Sequence, residues 1–405
     1  MQNEKCGRKN PDQFGFVGEK MSSYRMVALG TLIHQAKNIR CGSGEYPVLS
    51  MTMRDGLVFQ DEKFKKVIAS ADRSDYKVVH RNQLVIGFPI DEGVLATQRI
   101  VDAGIVSPAY GIWDIDQRKI LPEFLEYVLR CKRALSYYKA KLRGSTARRR
   151  SLPTQTLLEF DIPLPDIQEQ ELILEVLHKV KRIIANRTEE RESLNTLTKA
   201  RFVEMFGDES NPLGWDVVNV EDVATVQVGV VIKPAQYYTD ATNGVRAFRS
   251  LNIGPMNIKD NDWVYFSEEG NRKNAKSILK ENDLLIVRSG APGTACVVTK
   301  QYAGCNAIDI IIAHPDMNKV NPYYLCAYTN LPHGKRQIDE GTGGAAQQHF
   351  NVGKYNKLQL MLPPIEKQDE FVLFMDQVIK SKVTVQKALD EAQLLFDSLM
   401  QQYFG

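Results

Sequence analysis

The stretch LPDIQEQ at 164–170 opens a long helical pattern that runs to residue 207, and LPPIEKQ at 362–368 opens a second one that runs to residue 405. The offset is 198 residues at both ends (362 − 164 and 405 − 207), so the two segments align without a gap. Their few identities cluster at the entry and the exit of the helix, where capping and turn chemistry set the backbone. A chain that repeats itself in this way is expected to fold as two similar modules.

The repeat also covers the segments between the two helical patterns. WDVV at 215–218 resembles YRMV at 24–27, and PYYL at 322–325 parallels PEFL at 122–125. We therefore divide the chain into a disordered leader (1–20), a first globular domain (21–165), a central spacer helix (166–208), a second globular domain (209–363) and a C-terminal spacer helix (364–405).

Local patterns predict a mixed α/β architecture in each module. Short apolar segments of β character at 46–50, 84–87 and 111–115 are separated by turn signals. A helix is predicted from about Pro122 to Leu142, because a proline in the first turn is followed by apolar residues at helical spacing. The expected fold class is α/β, with two pseudo-symmetric globular domains separated by two long antiparallel coiled-coil helices.

The two helical patterns carry the alternating spacing of four and three residues that a coiled coil requires. Each helix of about 36 residues would be roughly 54 Å long at 1.5 Å per residue. Two amphipathic helices, each packed on its own domain, are the alternative, but helices of this length favour an antiparallel pair. The predicted seam positions are Phe371, Met375, Val378, Lys382, Val385, Leu389, Ala392, Phe396, Leu399 and Tyr403, with Ile173, Leu177, Val180, Ile184, Arg187, Arg191, Leu194, Thr198, Arg201 and Met205 in the first helix.

Composition limits the class of protein. The chain has 405 residues with 43% apolar content, which suits several globular cores, and a net charge of only +3, so any nucleic-acid surface must be local. It has no run of about 18 apolar residues, so a membrane span is not expected. The six cysteines form no Cys-x-x-Cys pair and are expected to be reduced thiols of a cytoplasmic protein.

Signals for catalysis are weak throughout the sequence. Asn321-Pro322-Tyr323-Tyr324 is close to the Asp/Asn-Pro-Pro-Tyr/Phe signature of amino-methyltransferases but lacks the second proline, and Pro322 aligns with Pro122 at a helix start. The sequence contains no phosphate-binding loop of the Walker type, and its six histidines are scattered. We therefore expect no catalytic residues and no metal site.

Two loops at matching places in the modules are the predicted DNA-binding surface. Arginine and lysine neutralise phosphates, arginine can pair with guanine, and glutamine can pair with adenine. The alternative is a solvated basic loop and a flexible glycine-rich turn. The candidate contact residues are Arg143, Ser145, Thr146, Arg148, Arg149 and Arg150 in the first module, and Arg249, Arg288, Thr342, Gln347, Gln348 and His349 in the second.

With these residues the chain resembles the specificity (S) subunits of type I restriction-modification systems. The resemblance depends on the stretches at 162–170 and 362–368, each followed by a long helix, and on the preceding loops at Gly144 and Gly341. It spans nearly the whole chain apart from the leader. Asp166 and Met361 stand where the pattern of the family has prolines.

The resemblance implies two target recognition domains (21–165 and 209–363) that each read one half of a split DNA site. It implies that the helices set the gap between the half-sites and dock two methyltransferase (M) subunits, joined by restriction (R) subunits. S-adenosylmethionine, ATP and magnesium would be used by those partners, and this non-catalytic chain would hold no cofactor. The alternatives are a stand-alone DNA methyltransferase or nuclease, and a coiled-coil adaptor that binds no DNA.

Overall fold

The computed structural model describes residues 24–53, 55–63, 73–142, 152–341 and 350–405. They form two compact units: unit 1 extends to Thr188 and includes Lys387–Gly405, and unit 2 is Glu189–Gln386. The central helix, Ile167–Phe206, and the C-terminal helix, Ile365–Phe404, have 40 residues each. Each unit therefore contains the start of one long helix and the end of the other.

Unit 1 is built around an antiparallel four-stranded sheet in the order Ile33–Gln35, Gly111–Ile115, Leu84–Ile86 and Leu95–Thr97. Its remaining strands form the antiparallel pairs Met26–Ala28 with Asp161–Pro163, Leu49–Thr52 with Gly56–Phe59, and Lys77–His80 with Ala103–Val106. Its shorter helices are Gln60–Lys63, Pro122–Arg130, Lys132–Lys141 and Thr154–Leu158, with 3-10 turns at Leu29–Thr31 and Ile90–Glu92.

Unit 2 repeats this frame. Its main sheet has the order Ala224–Val228, Ile310–Pro315, Leu284–Val287 and Ala295–Val297, and Asp216–Asn219 pairs with Gln359–Leu362. A second four-stranded sheet has the order Tyr238–Thr239, Val264–Ser267, Gly244–Phe248 and Asn306–Ala307, beside the pair Ile253–Gly254 and Asn257–Ile258. The shorter helices are Val220–Val223, Glu268–Lys273, Pro322–Asn330, Pro332–Gly341 and Val352–Asn356, with 3-10 turns at Pro234–Tyr237, Ser250–Asn252, Ala275–Ser277 and Lys300–Tyr302.

The helix predicted from Pro122 to Leu142 is in fact two helices that meet at Cys131. The backbone of Cys131 is extended (φ −69°, ψ 161°), and its Sγ accepts a hydrogen bond from Ala134 N, so the thiol caps the second helix. In unit 2 the break falls at Leu331, which precedes Pro332 and is extended as residues before proline prefer to be. The strand predicted at 46–50 begins later, at Leu49, whereas those near 84–87 and 111–115 lie as predicted.

The predicted seam of the long helices is buried. All twenty seam positions are buried or half-buried, although several in the central helix are polar. Within unit 2, Arg191 Nη1 donates to Gln386 Oε1 at 3.1 Å and Arg201 Nη2 donates to Glu370 Oε1 at 3.2 Å. Two polar seam positions of the central helix, Arg191 and Arg201, thus have polar partners on the other helix. No helix among the described residues has an apolar stretch long enough to cross a bilayer.

A buried glutamine joins each long helix to the backbone of its own unit. The Gln170 side chain accepts a hydrogen bond from Leu121 N at 2.8 Å and donates to the carbonyl oxygens of Lys119 and Pro165, both at 2.9 Å. Gln170 is fully buried, so these bonds are made away from water. They fix the direction in which the helix leaves the unit, because Lys119 and Leu121 precede the helix Pro122–Arg130.

Gln368 makes the same three bonds in unit 2. Its side chain accepts from Asn321 N at 2.8 Å and donates to Lys319 O at 3.3 Å and Pro363 O at 2.8 Å. It is also fully buried. The glutamine that ends each of the two repeated stretches, 164–170 and 362–368, is therefore one anchor used twice.

A phenylalanine at the end of the opposite long helix completes each core. In unit 1, the buried Phe404 packs against Phe124 and Tyr127, with ring centroids 5.3 and 6.1 Å away. In unit 2, Phe206 packs against Tyr324 and Phe371, at 5.1 and 5.5 Å. Each core therefore needs a helix end that is distant in sequence.

Replacing either buried glutamine by methionine should destabilise its unit. Methionine keeps the volume and the helix propensity of the side chain but leaves one N–H and two carbonyl groups unpaired in the interior. We expect Gln170→Met and Gln368→Met each to lower the free energy of unfolding by about 3 kcal/mol, measured by urea denaturation. The exposed Gln393→Met is the control and should stay within about 0.5 kcal/mol of the wild type. A loss of control size at Gln170 and Gln368 would refute the anchor.

Candidate nucleic-acid interface

Ten of the twelve predicted contact residues lie outside the described residues, and the other two, Arg249 and Arg288, belong to unit 2. The ten are Arg143, Ser145, Thr146, Arg148, Arg149, Arg150, Thr342, Gln347, Gln348 and His349. The described geometry therefore concerns Arg249, Arg288 and the residues around them.

Arg288 is held tightly at the end of the strand Leu284–Val287. Its guanidinium pairs with the Asp309 carboxylate, its Nε donates to Phe350 O at 3.3 Å, and Phe350 N donates back to Arg288 O at 3.0 Å. Its side chain is only 17% exposed. Phe350 is buried and is the first described residue after 342–349, so Arg288 fixes the point at which the chain re-enters the core.

Arg249 follows the strand Gly244–Phe248 and is also bonded to its surroundings. Its backbone N–H donates to Asn252 Oδ1 at 2.9 Å, and its Nη2 donates to Asp262 O. Its Nε is buried without a hydrogen-bond partner among the described residues. These bonds hold Arg249 at the N-cap of the 3-10 turn Ser250–Asn252.

The structure brings the two arginines to one place in unit 2. Phe248, the neighbour of Arg249, accepts a hydrogen bond from Ile308 N at 2.8 Å, and the next residue, Asp309, is the ion-pair partner of Arg288. Asp309 N donates to Val230 O at 3.1 Å, so the turn after Val230 lies at the same place. No local pattern in the sequence indicates that these three segments meet.

The turn after Val230 contains surface residues that the sequence analysis missed. Ile232 is 78% exposed, and Lys233 is exposed with a positive φ of 44°. The run Val230-Val231-Ile232 looks like a buried strand in sequence, so only the structure reveals its exposure. An exposed apolar residue beside cations is a common feature of surfaces that contact DNA grooves.

A second feature missed from the sequence is an arginine packed on aromatic rings. The Arg246 guanidinium lies 5.3 Å from the Trp263 ring and 6.0 Å from the Tyr302 ring, and it pairs with Asp260 at 3.7 Å. Burial, together with Asp260, raises the pKa of Tyr302, so the phenol stays neutral. The Arg246 side chain keeps 38% exposure and presents a planar cation on a rigid base.

Within the described residues, no group of histidine, cysteine or acidic side chains has the arrangement of a metal site. The five cysteines of the described part, Cys41, Cys131, Cys296, Cys305 and Cys326, are buried and unpaired. Burial raises the pKa of Cys305 to about 11 and that of Cys296 to about 12, so both are poor nucleophiles. What the described surface offers is cations and exposed apolar groups.

Comparison with known proteins places this arrangement in a class whose members select DNA sequences. The family model described as "Type I restriction modification DNA specificity domain" matches residues 34–196 and again 212–392. The chain belongs to this family and carries its domain twice.

Individual relatives are distant. The chain is 20% identical over 301 residues to the type I restriction enzyme MjaIX specificity subunit of Methanocaldococcus jannaschii, covering 69% of this chain and 68% of the relative. It is 24% identical over 265 residues to the MjaVIII specificity subunit of the same organism, covering 60% and 56%. The matched region thus spans 56% to 68% of the length of these two relatives.

One solved structure comes from work on the complex assembly and conformational transition of the type I R-M system. Its alignment with this protein includes 94% of the residues of this chain and 97% of those of the solved chain. It shares 16% identity with a TM-score of 0.59, so the likeness shows the fold.

The predicted fold class and the predicted membership of the specificity-subunit family are confirmed. The expectation of a non-catalytic subunit is also confirmed, because the relatives are named as specificity subunits. The individual DNA contacts stay predictions.

Arg288→Ala should lower the stability of unit 2. The substitution leaves the Asp309 carboxylate without its ion pair and the Phe350 carbonyl without a donor, which costs about 2 kcal/mol in the free energy of unfolding. Arg288→Lys should recover little of this, since lysine cannot bond both acceptors with a planar fork. The exposed Arg272→Ala is the control. Equal urea midpoints for Arg288→Ala and Arg272→Ala would mean that Arg288 is free to contact DNA instead.

Proposed function

We propose that this chain selects the DNA sequence for a type I restriction-modification complex, with each unit reading one half of a split site. The observation that carries the proposal is the double occurrence of the family domain, at 34–196 and 212–392. Each copy is built on the same four-stranded sheet, the same pair of helices and the same buried glutamine. Two complete copies are more than a single continuous site would require.

The differences between the units support different half-sites. Beside the shared frame, the described part of unit 1 has two-stranded pairs, whereas unit 2 has a four-stranded sheet that contains Gly244–Phe248 and Val264–Ser267. Arg246, Arg249 and Trp263 lie on or beside this sheet. Contacts to base edges carry sequence information, while contacts to phosphates position the protein without reading sequence. Two units with one frame and different surfaces suit a DNA site whose halves have different sequences.

The long helices are the proposed spacer between the half-sites. A 40-residue helix is about 60 Å long at 1.5 Å per residue, and neither long helix contains a proline. Each helix begins in one unit and ends in the other, anchored by a glutamine at its start and a phenylalanine at its end. Anchors at both ends support a fixed separation.

The proposed partners are double-stranded DNA, two M subunits and R subunits, and the proposed compartment is the cytoplasm. S-adenosylmethionine, ATP and magnesium would act in those partners, and this chain would contribute recognition and positioning alone. The unpaired cysteines support a reducing compartment.

Co-expression with the cognate M subunit, followed by sequencing of methylated adenines in the host DNA, tests the proposal. We expect one split motif with a constant gap, because two rigidly spaced readers accept only one separation. The control is the same M subunit expressed without this chain, which should give no such motif. A continuous motif, or a complex that forms and methylates nothing, would contradict the proposal.

Lengthening both helices should lengthen the gap. A seven-residue heptad inserted next to Arg191 and another next to Gln386 keeps the seam in register, since these residues contact each other. The insertion adds about 10 Å, which corresponds to about three base pairs at 3.4 Å each. We expect the methylated motif to keep both half-sites and to gain about three base pairs in the gap.

A heptad inserted in the central helix alone is the control for this experiment, because it places the two helices out of step. It should abolish methylation rather than shift the motif. An unchanged gap in the double insertion, with methylation intact, would show that the helices do not set the spacing.

A further inference from the structure

A cavity of about 290 Å³ in unit 1 is lined by charged residues that the DNA-reading role does not use. It lies where the helix Pro122–Arg130 meets the start of the central helix and the end of the C-terminal helix. Arg99, Arg130 and Lys181 provide three cations, and Glu123 and Glu126 provide two carboxylates. Phe396 and Met400 form an apolar wall.

Both carboxylates of the cavity are already satisfied by protein groups. Glu123 pairs with Arg99 at 2.7 Å and with His178 Nε2 at 2.9 Å. Burial raises the pKa of Glu123, but His178 and Arg99 outweigh that effect and hold the pKa below its ordinary value. Glu126 accepts hydrogen bonds from the backbone N–H and the hydroxyl of Thr97, at 2.9 and 2.8 Å, and pairs with Arg130 at 3.2 Å. The acceptors therefore have no need of a ligand.

Two donors of the cavity, in contrast, have no acceptor among the described residues. Tyr127 is 8% exposed, and its hydroxyl is buried with no hydrogen-bond partner in the described part of the chain. The Lys181 ammonium lies over the rings of Tyr127 and Phe396, at 4.6 and 5.7 Å, and forms no ion pair with a described carboxylate. Burial raises the pKa of Tyr127 to about 12, so the phenol remains a donor. One buried unpaired hydroxyl, one ammonium without an ion pair and an excess of one positive charge favour an anionic acceptor.

The fold itself does not require this charged set, because unit 2 builds the same junction without it. The helix Pro122–Arg130 corresponds to Pro322–Asn330, so Glu126, Tyr127 and Arg130 are replaced by Cys326, Ala327 and Asn330. At the offset of 198, Lys181 corresponds to Ile379. The charged set is therefore particular to unit 1 and does not follow from the frame that both repeats share.

We propose that the cavity around Tyr127 and Lys181 binds an oxyanion, and that the oxyanion is a carboxylate group presented by the protein that this subunit assembles with. The carboxylate would accept from the Tyr127 hydroxyl and the Lys181 ammonium, and its apolar stem would lie against Phe396 and Met400. Charge-assisted bonds of this kind are short and directional, so the cavity would fix the orientation of the partner. The choice of a protein carboxylate rests on the proposed function, and a free anion is the other source of the same chemistry.

Tyr127→Phe and Lys181→Met in the full chain test the proposal. Each variant removes one donor and keeps most of the volume. We expect each to weaken the affinity for the M subunit at least fivefold, with an unchanged melting temperature. The double variant should lose less than the product of the two single effects, because both groups bind the same oxyanion. Lys179→Met is the matched control, since Lys179 is 67% exposed and pairs with Glu175, and its affinity should stay within twofold.

Titration of inorganic phosphate into the full chain, followed through the ¹³C-labelled methyl group of Met400, distinguishes the two sources. A saturable shift in the wild type that is lost in Lys181→Met, with M-subunit affinity unchanged, would keep the oxyanion site and assign it to a free anion. If the wild-type chain binds no M subunit at all, the proposed function is contradicted. The phosphate titration still shows whether the cavity binds an oxyanion.

Three outcomes would overturn the proposal. The first is unchanged M-subunit affinity in both variants with no phosphate shift in the wild type. The second is a lower melting temperature with unchanged affinities, which would make the set structural. The third is a loss of DNA affinity in the isolated Lys181→Met chain with M-subunit affinity intact, which would assign the cation to a DNA phosphate.

Discussion

The hydrogen bonds of two buried glutamines determine how the long helices are attached, and the rest of the structure depends on that attachment. Gln170 and Gln368 each satisfy one backbone N–H and two carbonyl groups that would otherwise be buried without partners. Because an unpaired buried backbone group costs about as much as a lost hydrogen bond, no apolar residue can replace these side chains freely. The first turn of each helix is therefore fixed to its unit, and the seam that follows points in a defined direction.

The end of each long helix is attached as well, because its last phenylalanine completes the core of a unit. Phe404 belongs to the last turn of the chain, yet it packs in unit 1 against Phe124 and Tyr127. Phe206 completes unit 2 against Tyr324 and Phe371 in the same way. Each unit therefore combines local contacts with one helix end from far along the chain. The core of each unit is therefore complete only with segments of both long helices.

The sequence predicted the features that periodicity and repetition report, and it missed those that depend on a single contact. The seam and the repeated frame follow from spacing, which burial enforces over many residues. The break at Cys131 has no local signal, because the cap is a thiol, although its counterpart Pro332 is a standard helix breaker. For the candidate site, the sequence identifies Arg288 as a cation but does not reveal its partners. Asp309, its ion-pair partner, and Phe350, whose carbonyl it bonds, lie 21 and 62 residues further along the chain. No local pattern carries such information.

Comparison of the two repeats separates what the fold needs from what one unit alone uses. Residues that recur at the common offset, such as Gln170 and Gln368, are explained by burial and backbone satisfaction. Residues that differ where the frame is the same need another reason. Tyr127 and Lys181 of unit 1 correspond to Ala327 and Ile379 of unit 2. The apolar pair shows that the junction folds without a phenol or an ammonium. At this junction the two units therefore differ in chemistry rather than in architecture, which is what the proposed binding of a partner by unit 1 alone would need.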